Sequence, residues 1–170
     1  MTNSLEFVDM EERHLPSVQA IYNYYVANTT ISFHTQAQTL EEMRKNVINS
    51  NPRYRTYVIK RGETVIGYAL FTKHKDKQAY DTTAEVTIYM DPNHIGQKIG
   101  PEVLAFLEGK ALELGFHALV ATVCTENERS IRMFERSGYV RCALFKEIGF
   151  KFDRWLDIAS YQKILGNARQ

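Results

Sequence analysis

A carboxylate and a glycine-bearing loop lie close together in the middle of the sequence. Glu85 falls in an alternating apolar run that ends at Asp91, and a loop with Gly96 and Gly100 follows before an amphipathic segment. A strand that runs through such a loop into a helix is an anion site, because unpaired backbone N–H groups meet the positive end of the helix dipole there. The segment therefore predicts a phosphate-bearing cofactor beside a potential general base.

Two further groups of polar residues lie near this segment in the sequence. The polar loop before the strand carries Lys75 and Lys77, whose ammonium groups could hold an anionic substrate, although charged loops are usually only solvated. Asn127 and Ser130 begin a later amphipathic segment, where an asparagine is also a common helix N-cap. Each group therefore has both a binding and a purely structural interpretation.

The spacing of apolar residues predicts the elements that would position these groups. Helical spacing predicts helices over 14–27, 39–49, 101–114 and 127–136, and alternating or continuous apolar runs predict strands over 5–10, 56–60, 65–72, 84–90, 118–124, 139–148 and 153–162. Thr39 and Glu42 have the pattern of a capping box. The resulting order, βααβββαβαββ, predicts a mixed, mostly antiparallel α/β sheet flanked by helices.

Composition limits the possible classes of protein. The 170 residues are 44% apolar, which predicts one globular domain spanning residues 1–170. The formal net charge is +1, so the chain lacks the electrostatic footprint of a nucleic-acid-binding protein. The sequence contains no run of 18 apolar residues, so no membrane span is predicted, and its polar start lacks the apolar core of a signal peptide. Two cysteines are too few for a disulfide framework, which favours a reducing, cytoplasmic setting.

Several segments of the chain, taken together, are typical of one enzyme superfamily. They are Ile21-Tyr22-Asn23-Tyr24-Tyr25-Val26, Gly67-Tyr68-Ala69, Ala79-Tyr80, Glu85 with Ile88-Tyr89-Met90, Asn127-Glu128-Arg129-Ser130 with Gly138-Tyr139, and Gly149-Phe150-Lys151-Phe152-Asp153-Arg154-Trp155-Leu156-Asp157. They resemble the GNAT (GCN5-related N-acetyltransferase) superfamily, and above all its phosphinothricin and methionine sulfoximine acetyltransferase branch. The glycine loop alone is weak evidence, whereas the motifs in this order are specific.

This resemblance implies a fold, an activity and partners. The fold would be the GNAT acyl-CoA N-acyltransferase fold. The enzyme would move the acetyl group of acetyl-CoA directly, in a ternary complex, to the α-amine of a small glutamate-like amino acid such as phosphinothricin, methionine sulfoximine or methionine sulfone. A homodimer and a role in antibiotic or herbicide resistance are also implied. No metal is expected, and the five histidines show no metal-ligand spacing.

The resemblance also implies roles for individual residues. Glu85 would be the general base, acting directly or through a water, and a backbone N–H near Tyr89 would stabilise the oxyanion. The residues expected at acetyl-CoA are Thr87, Ile88, Tyr89, Ile95, Gly96, Gln97, Lys98, Ile99, Gly100, Asn127 and Ser130. The residues expected at the acceptor are Phe33, Lys75, Lys77, Gln78, Ala79 and Tyr80.

The sequence departs from the family pattern at five positions. In the cofactor loop, Ile95 replaces a polar residue and Lys98 replaces a glycine, and lysine needs a costlier backbone if that position is left-handed. Phe134 stands where many members carry a tyrosine as general acid, and a phenylalanine cannot donate a proton. Lys75 and Lys77 stand where the branch has arginines, which form the paired hydrogen bonds to a carboxylate that lysine cannot.

Other interpretations are open for the enzyme and for its residues. The acceptor could be a peptide or protein N-terminus or a polyamine, and a degenerate acyl-CoA-binding module would also fit the departures. Glu85 could pair with a lysine of the neighbouring loop, and the glycine loop could be an ordinary strand-to-helix turn. Phe33 and Tyr80 could belong to the core or an interface, and we expect Trp155 in packing or a dimer contact.

Overall fold

A single sheet of seven strands forms the centre of the part of the chain that the computed structural model describes, residues 4–96 and 98–166. The strands are β1 (Glu6–Asp9), β2 (Thr56–Arg61), β3 (Thr64–Lys73), β4 (Thr83–Met90), β5 (Ala118–Cys124), β6 (Val140–Lys151) and β7 (Arg154–Ile164). The helices are α1 (Leu15–Asn28), α2 (Leu40–Val47), α3 (Ile99–Glu113) and α4 (Glu128–Arg136). The predicted order of elements is confirmed, and β6 and β7 are longer than predicted.

The sheet has the order β1-β2-β3-β4-β5-β7-β6, and its pairs are antiparallel except for β4 with β5. Antiparallel pairing joins β4 to β3 from Ala84 through to Met90. The parallel pairing of β4 with β5 covers only Thr83–Glu85, opposite residues 118–120. The two strands therefore part after Glu85, and the edge of β4 that faces β5 is left without a ladder partner along its second half.

The two faces of β4 contribute to different apolar clusters, because successive strand side chains point to opposite faces. Ala84 and Val86 are buried in the larger cluster, which α3 and α4 cover. Tyr89 packs against the second cluster, which α1 and α2 cover. By the same alternation Glu85 and Thr87 point to the α1–α2 face of the sheet.

Local sequence signals begin and orient the helices. Thr39 Oγ1 accepts the Glu42 N–H at 3.1 Å while the Glu42 carboxylate accepts the Thr39 N–H at 2.8 Å, so the predicted capping box starts α2. Helix α3 buries Val103, Leu104 and Leu107, which recur at helical spacing. Shortening one of these buried leucines to alanine would cost about 2–5 kcal/mol, so α3 is firmly held against the sheet.

Strand β6 is an edge strand with many exposed apolar side chains. Those with more than 40% of their surface exposed on β6, the turn after it and the start of β7 are Val140, Leu144, Phe145, Ile148, Phe150, Phe152 and Trp155. The Trp155 ring lies 4.9 Å from that of Phe150 and is 62% exposed, so it packs within the hairpin and is also open to a partner. In the described part of the chain, every helix is too short or too polar to be a transmembrane segment.

Candidate active site

The predicted base, Glu85, lies near the start of β4 with its side chain 35% exposed. Its Oε1 atom is 3.3 Å from Nδ1 of His74, the residue that follows β3. Within residues 4–96 and 98–166, His74 is the only ionisable group within ion-pair distance of the Glu85 carboxylate. The alternative that Glu85 pairs with a lysine of this loop is therefore wrong for this structure, because its partner is a histidine that the sequence analysis had not singled out.

The loop between β3 and β4 carries the predicted acceptor-binding residues. A 3-10 turn over Gln78–Tyr80 orders it, with the Tyr80 N–H donating to the Lys77 carbonyl at 3.0 Å. The Tyr80 ring lies 5.6 Å from the His74 ring, so the turn is packed against the partner of Glu85. Lys75 and Lys77 are exposed, and neither forms an ion pair with a described residue. Their charges are therefore available at the rim of the site.

Phe33 lies against a different part of the protein. A Cβ atom added to Gly149 of β6 would be 2.5 Å from the Phe33 ring, so this glycine makes room for the aromatic side chain. Beside it, Nζ of Lys151, which is only 4% exposed, donates to the Ser32 carbonyl at 2.7 Å. Burial lowers the pKa of Lys151. These contacts bind Phe33 to the β6–β7 hairpin.

A group of hydroxyls on the α1–α2 face of β4 was not expected from the sequence. The Tyr22 hydroxyl forms hydrogen bonds with Ser32 Oγ at 2.8 Å and with Nδ1 of His34, and its ring packs edge-on against Tyr89. Burial raises the pKa of Tyr22 and of Tyr89, and it raises that of Tyr25 to about 12. These phenols stay protonated at neutral pH and can donate hydrogen bonds. Only the tyrosine-rich segment over 22–25 hinted at them.

The predicted binding strand for the cofactor has a free edge. Thr87, Ile88 and Tyr89 pair with residues 70, 69 and 68 of β3, while β5 has already separated from β4 at this level. The main-chain groups of this segment that are turned away from β3 face the opening between the two strands. Ile88 packs as a side chain against the larger apolar cluster, as expected. Because main-chain N–H groups would be the hydrogen-bond donors to a cofactor here, cofactor binding would place little constraint on which side chains the segment carries.

The loop from β4 into α3 contains two left-handed residues. Gly96 has φ +86°, and Lys98, the residue before the first turn of α3, has φ +58° and ψ +25°. Lysine in this conformation costs about 1–2 kcal/mol, so the departure from glycine carries a real backbone penalty. Ile99 is buried and Ile95 is 37% exposed. Gln97, also predicted at the cofactor, lies outside the described residues.

Helix α4 borders the same loop. A Cβ atom added to Gly96 would lie 3.6 Å from Nη1 of Arg129, so an exposed guanidinium stands beside the loop. Asn127 Oδ1 accepts the Ser130 N–H at 3.3 Å, which makes Asn127 the N-cap of α4. A Cβ atom at Gly100 would approach Met133 Sδ to 2.6 Å, so α3 and α4 pack closely at this point. The sequence analysis missed Arg129 as a charge near the loop, although it lies within a family motif.

Phe134, at the position of the family's usual acid, belongs to the core. It is 4% exposed, and its ring lies 5.0 Å from that of Tyr139. No group of three or more potential metal-ligating side chains occurs among the residues that the structure describes. The site as a whole contains a carboxylate–histidine pair, an unpaired strand edge and a loop with exposed lysines. The carboxylate could accept a proton from an amine, and a main-chain N–H on the strand edge could stabilise an oxyanion, as acyl transfer to an amine requires.

Comparison with known proteins agrees with this geometry. The profile of the acetyltransferase (GNAT) family matches residues 18–139. The phosphinothricin N-acetyltransferase of Streptomyces coelicolor is 33% identical over 159 residues, which cover 91% of this chain and 92% of that protein. The methionine sulfoximine/methionine sulfone acetyltransferase of Salmonella typhimurium is 32% identical over 109 residues, which cover 64% of each chain.

Two crystal structures share the fold. A GNAT superfamily phosphinothricin acetyltransferase from Sinorhizobium meliloti in complex with acetyl-CoA has a TM-score of 0.89 and 30% identity, covering 98% of this chain and 90% of that one. A ribosomal-protein-alanine N-acetyltransferase from Brucella melitensis has a TM-score of 0.88 and 31% identity, covering 94% and 99%. The two proteins differ in their named acceptors, so the fold alone does not select the acceptor.

Proposed function

Since the chain belongs to the GNAT family of acetyltransferases, we propose that it moves the acetyl group of acetyl-CoA to the α-amine of a small glutamate-like amino acid. The proposed acceptors are phosphinothricin, methionine sulfoximine and methionine sulfone. The observation that carries the proposal is the position of Glu85, the last β4 residue paired with β5. Its carboxylate therefore stands at the point where the two strands begin to part and where an amine could meet an acyl group.

The proposed reaction is a direct transfer with Glu85 as the proton acceptor. Acetyl-CoA supplies a thioester carbonyl. Glu85 takes a proton from the acceptor's ammonium group, directly or through a water, and the freed nitrogen forms a C–N bond as the C–S bond breaks and the electron pair leaves with sulfur. The nitrogen gives up a second proton as it becomes an amide, and this proton neutralises the leaving thiolate. A main-chain N–H on the free edge of β4, near Tyr89, stabilises the negative charge on the carbonyl oxygen. The source of the thiolate's proton is not Phe134.

The proposed cofactor site combines backbone donors with flanking charges. The N–H group of Gly96 and those of the first turn of α3 are proposed to bind the pyrophosphate. Lys98 and Arg129 supply positive charge where the usual polar loop residue is missing. The pantetheine arm lies along residues 87–89 in the opening between β4 and β5, with Asn127 and Ser130 on its other side.

The proposed acceptor site lies at the other end of the β4 opening. Lys75 and Lys77 hold the carboxylate and the sulfoximine, sulfone or phosphinate oxygens as point charges rather than as bidentate forks. Gln78, Ala79 and Tyr80 form the wall on the 3-10 turn. Phe33, which packs against Gly149 of the β6–β7 hairpin, forms the wall of the acceptor site opposite this turn.

We further propose a cytoplasmic homodimer in which each chain, residues 1–170, is one catalytic domain. The exposed apolar row of β6 supports the dimer, since an unpartnered edge strand with such side chains favours association. Ile148→Glu places a charge in the middle of this row. Sedimentation analysis is expected to show a dimer for the natural chain and a monomer for the variant; a monomeric natural chain would contradict the proposal.

A protein N-terminus is the second candidate acceptor. The similarity to a ribosomal-protein-alanine N-acetyltransferase supports it, because identity to that structure is as high as to the phosphinothricin acetyltransferase structure. The exposed lysines of the 74–82 loop favour a small anionic acceptor instead. A degenerate acyl-CoA-binding module is the third candidate, and it rests on Ile95, Lys98 and Phe134.

A thiol-release screen separates these candidates. Purified protein with acetyl-CoA is assayed against amino acids, their sulfoximine, sulfone and phosphinate analogues, polyamines, and an alanine-ended peptide. We expect release with the analogues and little with the peptide. Release with the peptide alone would move the assignment to protein N-termini. Binding of acetyl-CoA in calorimetry without any release would leave the non-catalytic module.

A further inference from the structure

We infer that His74 is a positioning residue for Glu85. The inference rests on the proposed function and assigns a role to a residue that no family motif contains. The pair joins the loop after β3 to the start of β4, with an Nδ1 to Oε1 distance of 3.3 Å. The two side chains are 24% and 35% exposed, so the pair is shielded yet reachable by a small amine.

The chemistry of the two groups determines which one donates. An ionised carboxylate can only accept hydrogen bonds, so His74 donates from Nδ1 and keeps the proton on that nitrogen. One oxygen of Glu85 is thereby held, and the other is left for the acceptor's ammonium group. Without this donor the flexible glutamate side chain would sample several rotamers, and fewer of them would place the oxygen correctly.

His74 is itself fixed from two directions. The strand register sets Thr72 opposite Glu85 and Lys73 opposite Ala84, so His74 is the first residue beyond the paired part of β3. On the loop side, the Tyr80 ring packs at 65° to the imidazole with centroids 5.6 Å apart. The imidazole is thus located by the sheet and by the 3-10 turn together, as a positioning residue must be.

Groups from several elements surround the pair. From β4 the imidazole meets Glu85, from the 3-10 turn it meets Tyr80, and β5 offers Val120 at the level of Glu85. The loop itself adds the exposed side chains of Lys73, Lys75, Asp76 and Lys77.

An imidazolium in this place has two unfavourable effects on catalysis. It would bind the carboxylate as an ion pair, which makes that carboxylate a weaker base. It would also stand beside the positively charged acceptor amine and repel it.

Two substitutions separate positioning from the alternatives. His74→Asn keeps an N–H donor at about the place of Nδ1 but cannot take up a proton. His74→Phe keeps the ring contact to Tyr80 but removes the donor. The measured quantity is kcat/KM for the best acceptor of the thiol-release screen between pH 5 and 9.

The expected result distinguishes the two variants by the size of the loss. His74→Phe loses about tenfold in kcat/KM at pH 8, the effect of one lost oriented hydrogen bond. His74→Asn loses less than about threefold at pH 8, because its amide keeps a donor for the Glu85 carboxylate. Equal losses in both variants at pH 8 would show that His74 takes the proton itself and would overturn the inference. A natural rate and profile in His74→Phe would also overturn it, by reducing His74 to packing.

A second measurement does not depend on turnover. Nitrogen chemical shifts of the His74 imidazole are expected to show the proton on Nδ1 in the natural chain and a shift towards the Nε2 tautomer in Glu85→Ala. An Nε2 proton in the natural chain would contradict the hydrogen bond to Glu85. If no amine is acetylated in the screen while the Nδ1 tautomer is found, the proposed function fails and the His74–Glu85 contact stands.

Discussion

The two ends of β4 face the reaction in different ways. At its start, Glu85, His74 and Tyr80 present side chains, and the exposed lysines of the 74–82 loop surround them. At its other end the chain turns through Gly96 at φ +86° and Lys98 at φ +58° into α3, so the conformation of the backbone sets the shape of the loop there.

Substitutions at the two ends of β4 should therefore affect different properties of the enzyme. At the start of β4, a substitution changes proton chemistry or charge while the sheet register stays as it is, so its effect falls on kcat or on the acceptor's KM. At the end of β4, a substitution changes the conformations that the loop can adopt, so it affects stability and acetyl-CoA binding together. The four predictions that follow test this separation, from the largest expected effect to the smallest.

Glu85→Gln is expected to have the largest effect. The amide has nearly the same shape but cannot accept a proton from the amine, so kcat should fall by about 10²–10⁴-fold. Calorimetry should show acetyl-CoA binding within about twofold of the natural chain, because the cofactor loop is at the other end of the strand. Unchanged turnover would remove Glu85 from the mechanism.

Gly96→Val is expected to weaken acetyl-CoA binding. A β-branched residue at φ +86° strains the loop by about 1–3 kcal/mol, and the KM for acetyl-CoA should rise about tenfold. Gly62→Val is the matched control, since Gly62 has φ +61° in the β2–β3 turn with open space around it. Both variants should lower the melting temperature, but only Gly96→Val should change KM. A KM change of the same size in Gly62→Val would refute a specific role for the loop.

Lys75→Ala and Lys77→Ala should each raise the KM of the acceptor by about fivefold with little change in kcat. An exposed charge contributes about 1 kcal/mol at most, and added salt should shrink the difference from the natural chain. Lys73→Ala is the control, because Lys73 is also exposed but is the last residue of β3. If kcat fell and KM stayed constant, the lysines would act on chemistry rather than on binding.

The smallest effect at neutral pH concerns Tyr25, whose hydroxyl donates to the Met90 carbonyl at the end of β4. Burial raises its pKa from 10 to about 12 in the folded state. The associated stability is present below pH 10, where the phenol is neutral in both states, and is lost as the pH rises towards 12. Tyr25→Phe should therefore flatten the fall of melting temperature between pH 10 and 12. An unchanged slope would show that Tyr25 ionises as freely in the folded chain as in the unfolded one.

Much of the fold follows from patterns within short stretches of the chain. The capping box at Thr39 and Glu42, the strand over 118–124 and the order of elements are read from neighbouring residues, and each is present in the structure. The left-handed backbone at Lys98 entered the sequence analysis only as a condition, and the structure shows it with φ +58°. The exact limits of β6 and β7 were not predicted, since a hairpin gains length from cross-strand pairing that no single strand pattern contains.

The candidate site was predicted less completely than the fold. Glu85 was chosen from its place on a strand before an anion loop, but its contact with His74 spans 11 residues of irregular loop. The periodicity of apolar residues, which locates helices and strands, does not predict where the residues of an irregular loop lie. Phe33 and Gly149 illustrate the same point at greater separation, because their contact exists only once the α1–α2 connection lies on the β6–β7 hairpin.

By itself the sequence determined the elements and their order, because these depend on side-chain periodicity, caps and local backbone preference, and it predicted Glu85 as the base and the following loop as an anion site. Tertiary structure alone decided that β4 and β5 part after Glu85, that His74 is its partner, and that Arg129 stands beside Gly96. Those contacts join residues from different elements. They form when the apolar clusters on both faces of the sheet pack, and burial of distant surfaces rather than local preference sets their geometry.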